Sequence, residues 1–435
     1  MINRRDKKMV TPKKTPLHAW HLASGANMAD FGGYEMPLWY TSVKNEHLAV
    51  LTSAGIFDTS HMAAIEVGGP DATALVQTCF TNDLAACIGP RKQPLVDGRC
   101  VYGAFLNPQG HVIDDAIVFQ IAADTYFIVV NAGMGAKIAK QMEDHRAGRN
   151  VAVRDLTDRV AKMDIQGPLA GKILSTLIVS PETVFEGFPY FSFKGHYDPQ
   201  APRAGAVRLS DGTPLLLSRT GYTGEFGFEI FIATEKIELL WKKVLEAGGS
   251  QGLLPCGLAA RDSLRAGAVL PLSHQDIGPW PFVNHPWPFA LPYTDDGGFS
   301  KAFIGSEALL KAQDAPHTLA FVGQDLRKVA TSDEASGVFD TAGKAIGRIL
   351  TCATDIGIGW VDGEIKSIAS PDKPADFKPR GLSCGFVLVD RPLPIGETVE
   401  LRDARRKIKV TITTDIRPDR TARKPMSQML STNAV

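Results

Sequence analysis

The stretch CVYGAFLNPQGHVIDDAIVFQ, residues 100–120, constrains the fold more than any other part of the chain. Two runs of alternating apolar residues flank Asn-Pro-Gln-Gly, with Pro at the second turn position and Gly at the fourth. Such a pair closes as an antiparallel hairpin. A third strand follows in TYFIVVN, residues 125–131. A helix comes next in AGMGAKIAKQMEDH, where Met134, Ile138 and Met142 recur every four residues. Strands joined by tight turns, with helices between them, predict a mixed, antiparallel-rich α+β sheet rather than a doubly wound parallel one.

The same reading extends along the chain. PLHAWHLASG and KNEHLAVLTSAG read as short helices closed by Gly25 and Gly55, AAIEVGG as a strand, and PDATALVQTCFTND as a helix with Pro70 in its first turn. VAVRDLTDRVAKMDIQG holds two strands, PLAGKILSTLI a helix, and TEKIELLWKKVLEAG a strongly amphipathic helix. Residues 279–297 hold five prolines and no periodicity. From about Thr318 the pattern is all-β, interrupted by the polar, Pro-rich EIKSIASPDKPADFKPRG, expected to be an exposed insertion. The expected organisation is a basic tail over 1–14, two mixed α+β subdomains over 15–278, and a Pro/Trp-rich linker over 279–317. A β-barrel or sandwich over 318–415 and a tail over 416–435 complete it.

With 435 residues the chain exceeds one core, and two or three domains follow. Lys plus Arg number 47 and Asp plus Glu 47, so net charge is zero. That balance argues against a generic grip on nucleic acid or an anionic membrane. No apolar run approaches the roughly 20 residues that span a bilayer, and the N-terminus lacks the apolar core of a secretory signal. A cytoplasmic location is expected, or the mitochondrial matrix in a eukaryote. The six cysteines form no C-x-x-C pair, and the histidines lack metal spacing, so no metal site is expected.

Two places could carry chemistry. In RTGYTGEFGFEIF, residues 219–231, glycines recur at every third position among aromatic residues and the acids Glu225 and Glu229. Acidic side chains would repel a phosphate, so the segment suits a flat ligand that donates hydrogen bonds. Glu229 shares a strand face with Phe231 and is expected to be partly buried, where it needs a donor pair. Arg261 or Arg265 could supply it, or the N–H and NH₂ edge of a 2-amino-4-oxo pyrimidine ring. In the hairpin, Asp114 and Asp115 alternate faces, which excludes a proton-sharing dyad. If Pro108 and Gln109 form a two-residue loop, Tyr102 falls directly opposite Asp115; a bulge at Gly110 would move the register by one. A ring beside an acid suits a planar ligand that gains positive charge. A surface Asp beside a core Tyr is the plainer possibility. Cys256, in PCGLAARD, has no adjacent histidine and reads as a buried small apolar residue. No phosphate loop, G-x-S-x-G, H-E-x-x-H or strand–GxGxxG–helix unit occurs.

In order along the chain, TPLHAWH, DFGGYEMPLWY, AGIFDTSHM, TNDLAA, LNPQGHVIDDAIVF, DIQGPLA, SRTGYTGEFGFEI and PCGLAARDSLR together resemble the T-protein (aminomethyltransferase) family of the glycine cleavage system. The resemblance runs from about Thr15 to Ile277, with a weaker C-terminal part. It implies a three-domain ring around a central folate channel, closed by a barrel-like third domain. It implies that Glu229 grips the pterin of tetrahydrofolate, that Tyr222, Tyr102 and Arg261 contact the folate, and that Asp115 is the catalytic acid. A C-terminal arginine reaches folate in some members, here Arg417 or Arg420. The implied reaction moves an aminomethyl group from a lipoylated carrier protein to tetrahydrofolate, giving methylene-tetrahydrofolate and ammonia, with no metal. SLRAGAVLPL, the Pro/Trp stretch, IGRILTCATDIGIG and Phe226 depart from the family pattern on the donor side. Two alternatives follow: a folate-dependent demethylase of another N-, S- or O-methyl donor, and a non-catalytic folate-binding iron–sulfur assembly factor, although Gly221 stands where the latter carries cysteine.

Overall fold

The computed structural model describes residues 11–431; most of the expected basic tail lies outside them. Within them Lys13 is tied to the body, its N–H on Gly33 O at 2.8 Å and its ammonium on Asp158 at 3.0 Å.

The hairpin opens a five-stranded antiparallel sheet. Its strands, edge to edge, are Cys100–Leu106, Val112–Ala122, Thr125–Val130, Ala63–Gly68 and Ala152–Asp155. A second sheet has six strands: Phe193–Gly195, Leu216–Ser218, Gly227–Ala233, Val160–Gln166, Gly55–Asp58 and Leu254–Pro255. Only its last pairing is parallel. The third unit is a closed six-stranded barrel running from His317–Gly323 to Lys407–Thr413. The α+β expectation and the C-terminal barrel both hold.

Helices cover the sheets where the spacing places them. Ile237–Gly249 buries Ile237, Leu240, Trp241, Val244 and Gly248, one stripe at helical period, into the core under the second sheet. The polar face carries a Glu238–Lys242 pair one turn apart. The helix expected with Pro70 in its first turn begins at Ala72, with Asp71 as its cap residue.

The hairpin register departs from the two-residue-loop expectation. Ala104 faces Asp115, and Tyr102 faces Ile117. Gly110, at φ +77°, extends the turn to three residues, and a second irregularity between Phe105 and Leu106 adds another shift. Each shift alone would flip the strand; two restore the original face. Tyr102 and Asp115 are therefore diagonal neighbours, within reach of a tyrosine side chain.

Three segments are more integrated than expected. The Pro/Trp stretch is irregular, but it packs into the body rather than linking through solvent. Trp287 is fully buried and its indole N–H donates to Val269 O at 2.8 Å. Within the stretch, Phe282 N–H donates to Gly110 O at 3.0 Å and Phe289 O accepts from Asn82 Nδ2 at 2.8 Å. Residues 416–431 do not trail away. Ala422 N–H bonds Gly224 O, and Met426 and Met429 of the helix Met426–Ser431 enter the core beside Leu169 and Phe226. The polar insertion likewise begins with a strand, Glu364–Ser367, that pairs with Ile358–Val361 before it in a hairpin whose base is buried.

Candidate active site

A cavity of about 1090 Å³ lies where the sheets, the helix Leu258–Gly267, the Pro/Trp stretch and the C-terminal segment meet. Tyr102, Asp115, Tyr222, Glu229 and Arg261, widely separated in sequence, all line it.

The first wall is the hairpin. Tyr102 donates its hydroxyl proton to Asp115 Oδ2 at 2.8 Å. Beyond the end of strand Thr125–Val130, Asn131 reaches both acids: its Nδ2 donates to Asp115 Oδ1 at 2.7 Å and to Asp114 Oδ1 at 2.8 Å. Asp114 is fully buried and also accepts from Asn131 N at 2.8 Å and Ser273 Oγ at 2.8 Å. The alternation of faces excludes a proton-sharing dyad; beyond the end of the neighbouring strand one amide still joins the two acids. Burial, with the Asp114 charge second, raises the Asp115 carboxyl to about 6, against the opposing hydrogen bonds from Tyr102 and Asn131.

The second wall is the strand Gly227–Ala233. Glu229 stands directly across from Asp164, a like-charge opposition that would be destabilising alone. Lys162 resolves it. Its ammonium, nearly inaccessible, donates to Glu229 Oε1 at 2.5 Å and Asp164 Oδ1 at 2.6 Å. Thr220 donates to the other Glu229 oxygen. Arg261 continues the chain, its Nη1 on Asp164 Oδ2 at 2.6 Å and its guanidinium 4.9 Å from the Tyr222 ring. Burial alone would raise the Asp164 carboxyl, but Lys162 and Arg261 outweigh it and hold it below its usual range. Neither arginine proposed for Glu229 is its partner: Arg261 is on Asp164, and Arg265 is on Asp276 and Asp262. The Tyr222 hydroxyl is anchored on Pro271 O. Gly224, at φ +76°, leaves room for Arg420, whose Cδ a side chain there would strike.

Of the two C-terminal arginines, Arg420 lines the cavity, as does Arg423. Arg417 is fully buried, paired with Asp355 and with Glu225 at 3.1 Å. Cys256 is buried with its thiol pushed well up by desolvation, so it is not a thiolate nucleophile. His61 also lines the cavity; burial pushes its imidazole down to about 4, and its Nδ1 has no hydrogen-bond partner.

Lys162, Asp164 and Asn131 escaped the reading of the sequence. A lysine and an acid two residues apart inside the apolar strand VAKMDIQ were the available signal, since buried charges come paired. For Asn131, a polar residue closing a run of six strand residues was the signal. Among the described residues, no group of three or more His, Cys, Asp or Glu side chains is placed to hold a metal ion. No helix among them is long and apolar enough to cross a membrane.

Two sheets and a barrel close on an acid-lined cavity, and together they define an α+β scaffold built around a ligand site. The family model of the GCVT N-terminal domain matches residues 17–280. The aminomethyltransferase of Alkaliphilus oremlandii is 33% identical over 376 residues, covering 83% of this chain and 93% of that one. That of Bacillus subtilis is 32% identical over 368 residues, covering 82% and 93%. Among solved structures, the glycine cleavage system aminomethyltransferase T from Bartonella henselae superposes with a TM-score of 0.71 at 25% identity, covering 92% of this chain and 96% of that one. The chain belongs to the GCVT aminomethyltransferase family and is an enzyme of the transferase class.

Proposed function

We propose that the protein transfers an aminomethyl group from a lipoylated carrier protein to tetrahydrofolate in the cytoplasm, releasing ammonia. The observation that carries this reading is the placement of Glu229 and Asp115 in the wall of one cavity. The cavity, about 1090 Å³, exceeds what a drug-sized ligand needs, about 300–1,000 Å³.

The residues present fit a reduced pterin. A carboxylate offers about four acceptor positions. Lys162 and Thr220 use one on each Glu229 oxygen, which leaves one on each for a bidentate donor edge. Tyr222, backed by Arg261, presents an aromatic face, and Arg420 and Arg423 supply positive charge for the carboxylate end of such a ligand. Tetrahydrofolate supplies the nitrogens that accept the one-carbon unit. Asp115 holds negative charge where the donor carbon becomes electron-poor as its bond to sulfur weakens, a preorganised electrostatic role. Tyr102 and Asn131 fix the carboxylate, so no reorganisation is needed as the charge develops.

The test combines calorimetry with turnover. Tetrahydrofolate binds the wild type, and Glu229→Ala weakens it by about 1.5–3 kcal/mol. Aminomethyl-loaded lipoyl carrier then yields methylene-tetrahydrofolate. Absence of any binding heat removes the reading; folate binding with turnover only of a methylated amine, sulfonium or methoxy-aromatic replaces the donor.

A further inference from the structure

His274 adopts φ +63°, a left-handed conformation uncommon for a residue with a side chain. Its turn is clamped from below by Asp276. That carboxylate accepts from Leu272 N at 2.9 Å, from Thr351 Oγ1 at 2.6 Å, and from Arg265. Backbone strain survives only where the surroundings over-determine it, and such sites cluster where function needs them. Here the clamp holds the imidazole half-exposed behind the acid pair, with Nε2 3.5 Å from Asp114 Oδ1. Ser273 Oγ donates to that same oxygen.

The groups facing His274 are few. Asp114 and Asp115 come from the strand Val112–Ala122, and Lys137, from the helix Gly135–Asp144, works against its charge. The hydrogen-bond donors on the two acids are neutral: Tyr102, Asn131 and Ser273. Among the described residues, His274 is the one cationic group within ion-pair distance of either acid.

We propose that His274 is a positioning residue whose imidazolium, seated on Asp114, keeps the Asp115 carboxylate ionised toward the cavity. The inference rests on the role given to Asp115 under the proposed function. Its electrostatics are consistent in sign. Burial and the Asp114 charge raise Asp115 to about 6. A cation on Asp114 offsets that charge. The contact with Asp114 in turn raises His274 above its ordinary value, so the imidazole is charged at the pH where Asp115 titrates.

Two readouts test it. One is the pH profile of turnover, which rises as Asp115 ionises. The other is a carbon-13 NMR titration of Asp115 in aspartate-labelled protein, assigned by the signal lost in Asp115→Asn, which needs no turnover. In His274→Gln both midpoints move to higher pH by roughly half a pH unit or more, while turnover at pH 8 stays at the wild-type level. His274→Arg restores them. His274→Gly, which removes the charge and relieves the backbone, behaves as His274→Gln. Superimposable profiles for wild type and His274→Gln overturn the inference. So does a shift in His274→Gly alone, which would assign the effect to strain. A shifted NMR midpoint in a protein without aminomethyl transfer fails the proposed function and leaves this inference standing.

Discussion

Lys162→Met is the most informative perturbation of the cavity wall. The lysine ammonium sits between two carboxylates, at 2.6 Å from Asp164 and 2.5 Å from Glu229, with side-chain exposures of 3%, 0% and 8% for the three residues. Methionine preserves the stem and removes the charge. Asp164 then still has Arg261 at 2.6 Å and Thr59 Oγ1 at 2.9 Å. Glu229 retains Thr220 alone. Removing one partner of a buried ion pair costs about 3–5 kcal/mol, because the remaining charge is left uncompensated. Most of that cost falls on Glu229, so the double variant Lys162→Met, Glu229→Gln recovers more than half of it. Urea unfolding followed by tryptophan fluorescence, to which Trp241 in the core beneath this strand contributes, measures the loss. A loss below about 1 kcal/mol, the range of exposed pairs, refutes the claim that the pair is desolvated. Equal stability of the single and double variants refutes the assignment of the cost to Glu229.

Other outcomes follow from the same site. Asp115→Asn retains tetrahydrofolate binding and loses turnover by about 10²–10³. It also changes stability in a pH-dependent way. The folded carboxyl is raised from 3.8 to about 6, so the stability it confers is complete below 3.8 and disappears as pH rises through 6. Asp115→Asn is therefore more stable than wild type at pH 8 by up to about 3 kcal/mol, with the advantage fading toward pH 4; thermal melts at both values check it. Arg417→Met loses about 3–5 kcal/mol, since Glu225 remains buried without its cation and Asp355 keeps only His47, at 3.0 Å. Arg420→Ala stays within about 0.5 kcal/mol of wild type while weakening folate; equal melting losses in the two variants contradict the division of roles.

Much of the site was legible because its motifs are local. The alternation in VIDDAIVFQ and GFEIFI assigned the strands, and Asn-Pro-Gln-Gly assigned the turn between the first pair. Tyr102 and Asp115 were expected to meet, and they do at 2.8 Å, although the register differs by two residues. Turn conformation and a bulge set that register, and the turn is also bonded to residues far along the chain, Val112 N–H to Gly278 O and Phe282 N–H to Gly110 O.

By itself the sequence determined the element types, the antiparallel character of the sheets, the barrel at the C-terminal end and the choice of Asp115 and Glu229 as candidate acids. These follow from side-chain period and turn chemistry, which act over a few residues. Tertiary structure alone decided which charges neutralise which. Glu229 could have taken Arg261 or Arg265, and the fold gave it Lys162, because the neighbouring strand brings that ammonium between two opposed carboxylates. The C-terminal segment, polar enough to read as a tail, returns to the core, where Arg417 pairs with the buried Glu225 and joins His47 on Asp355. Partner choice for a buried charge is a comparison among all groups that the folded chain brings within a few ångströms, and sequence separation carries no information about that distance.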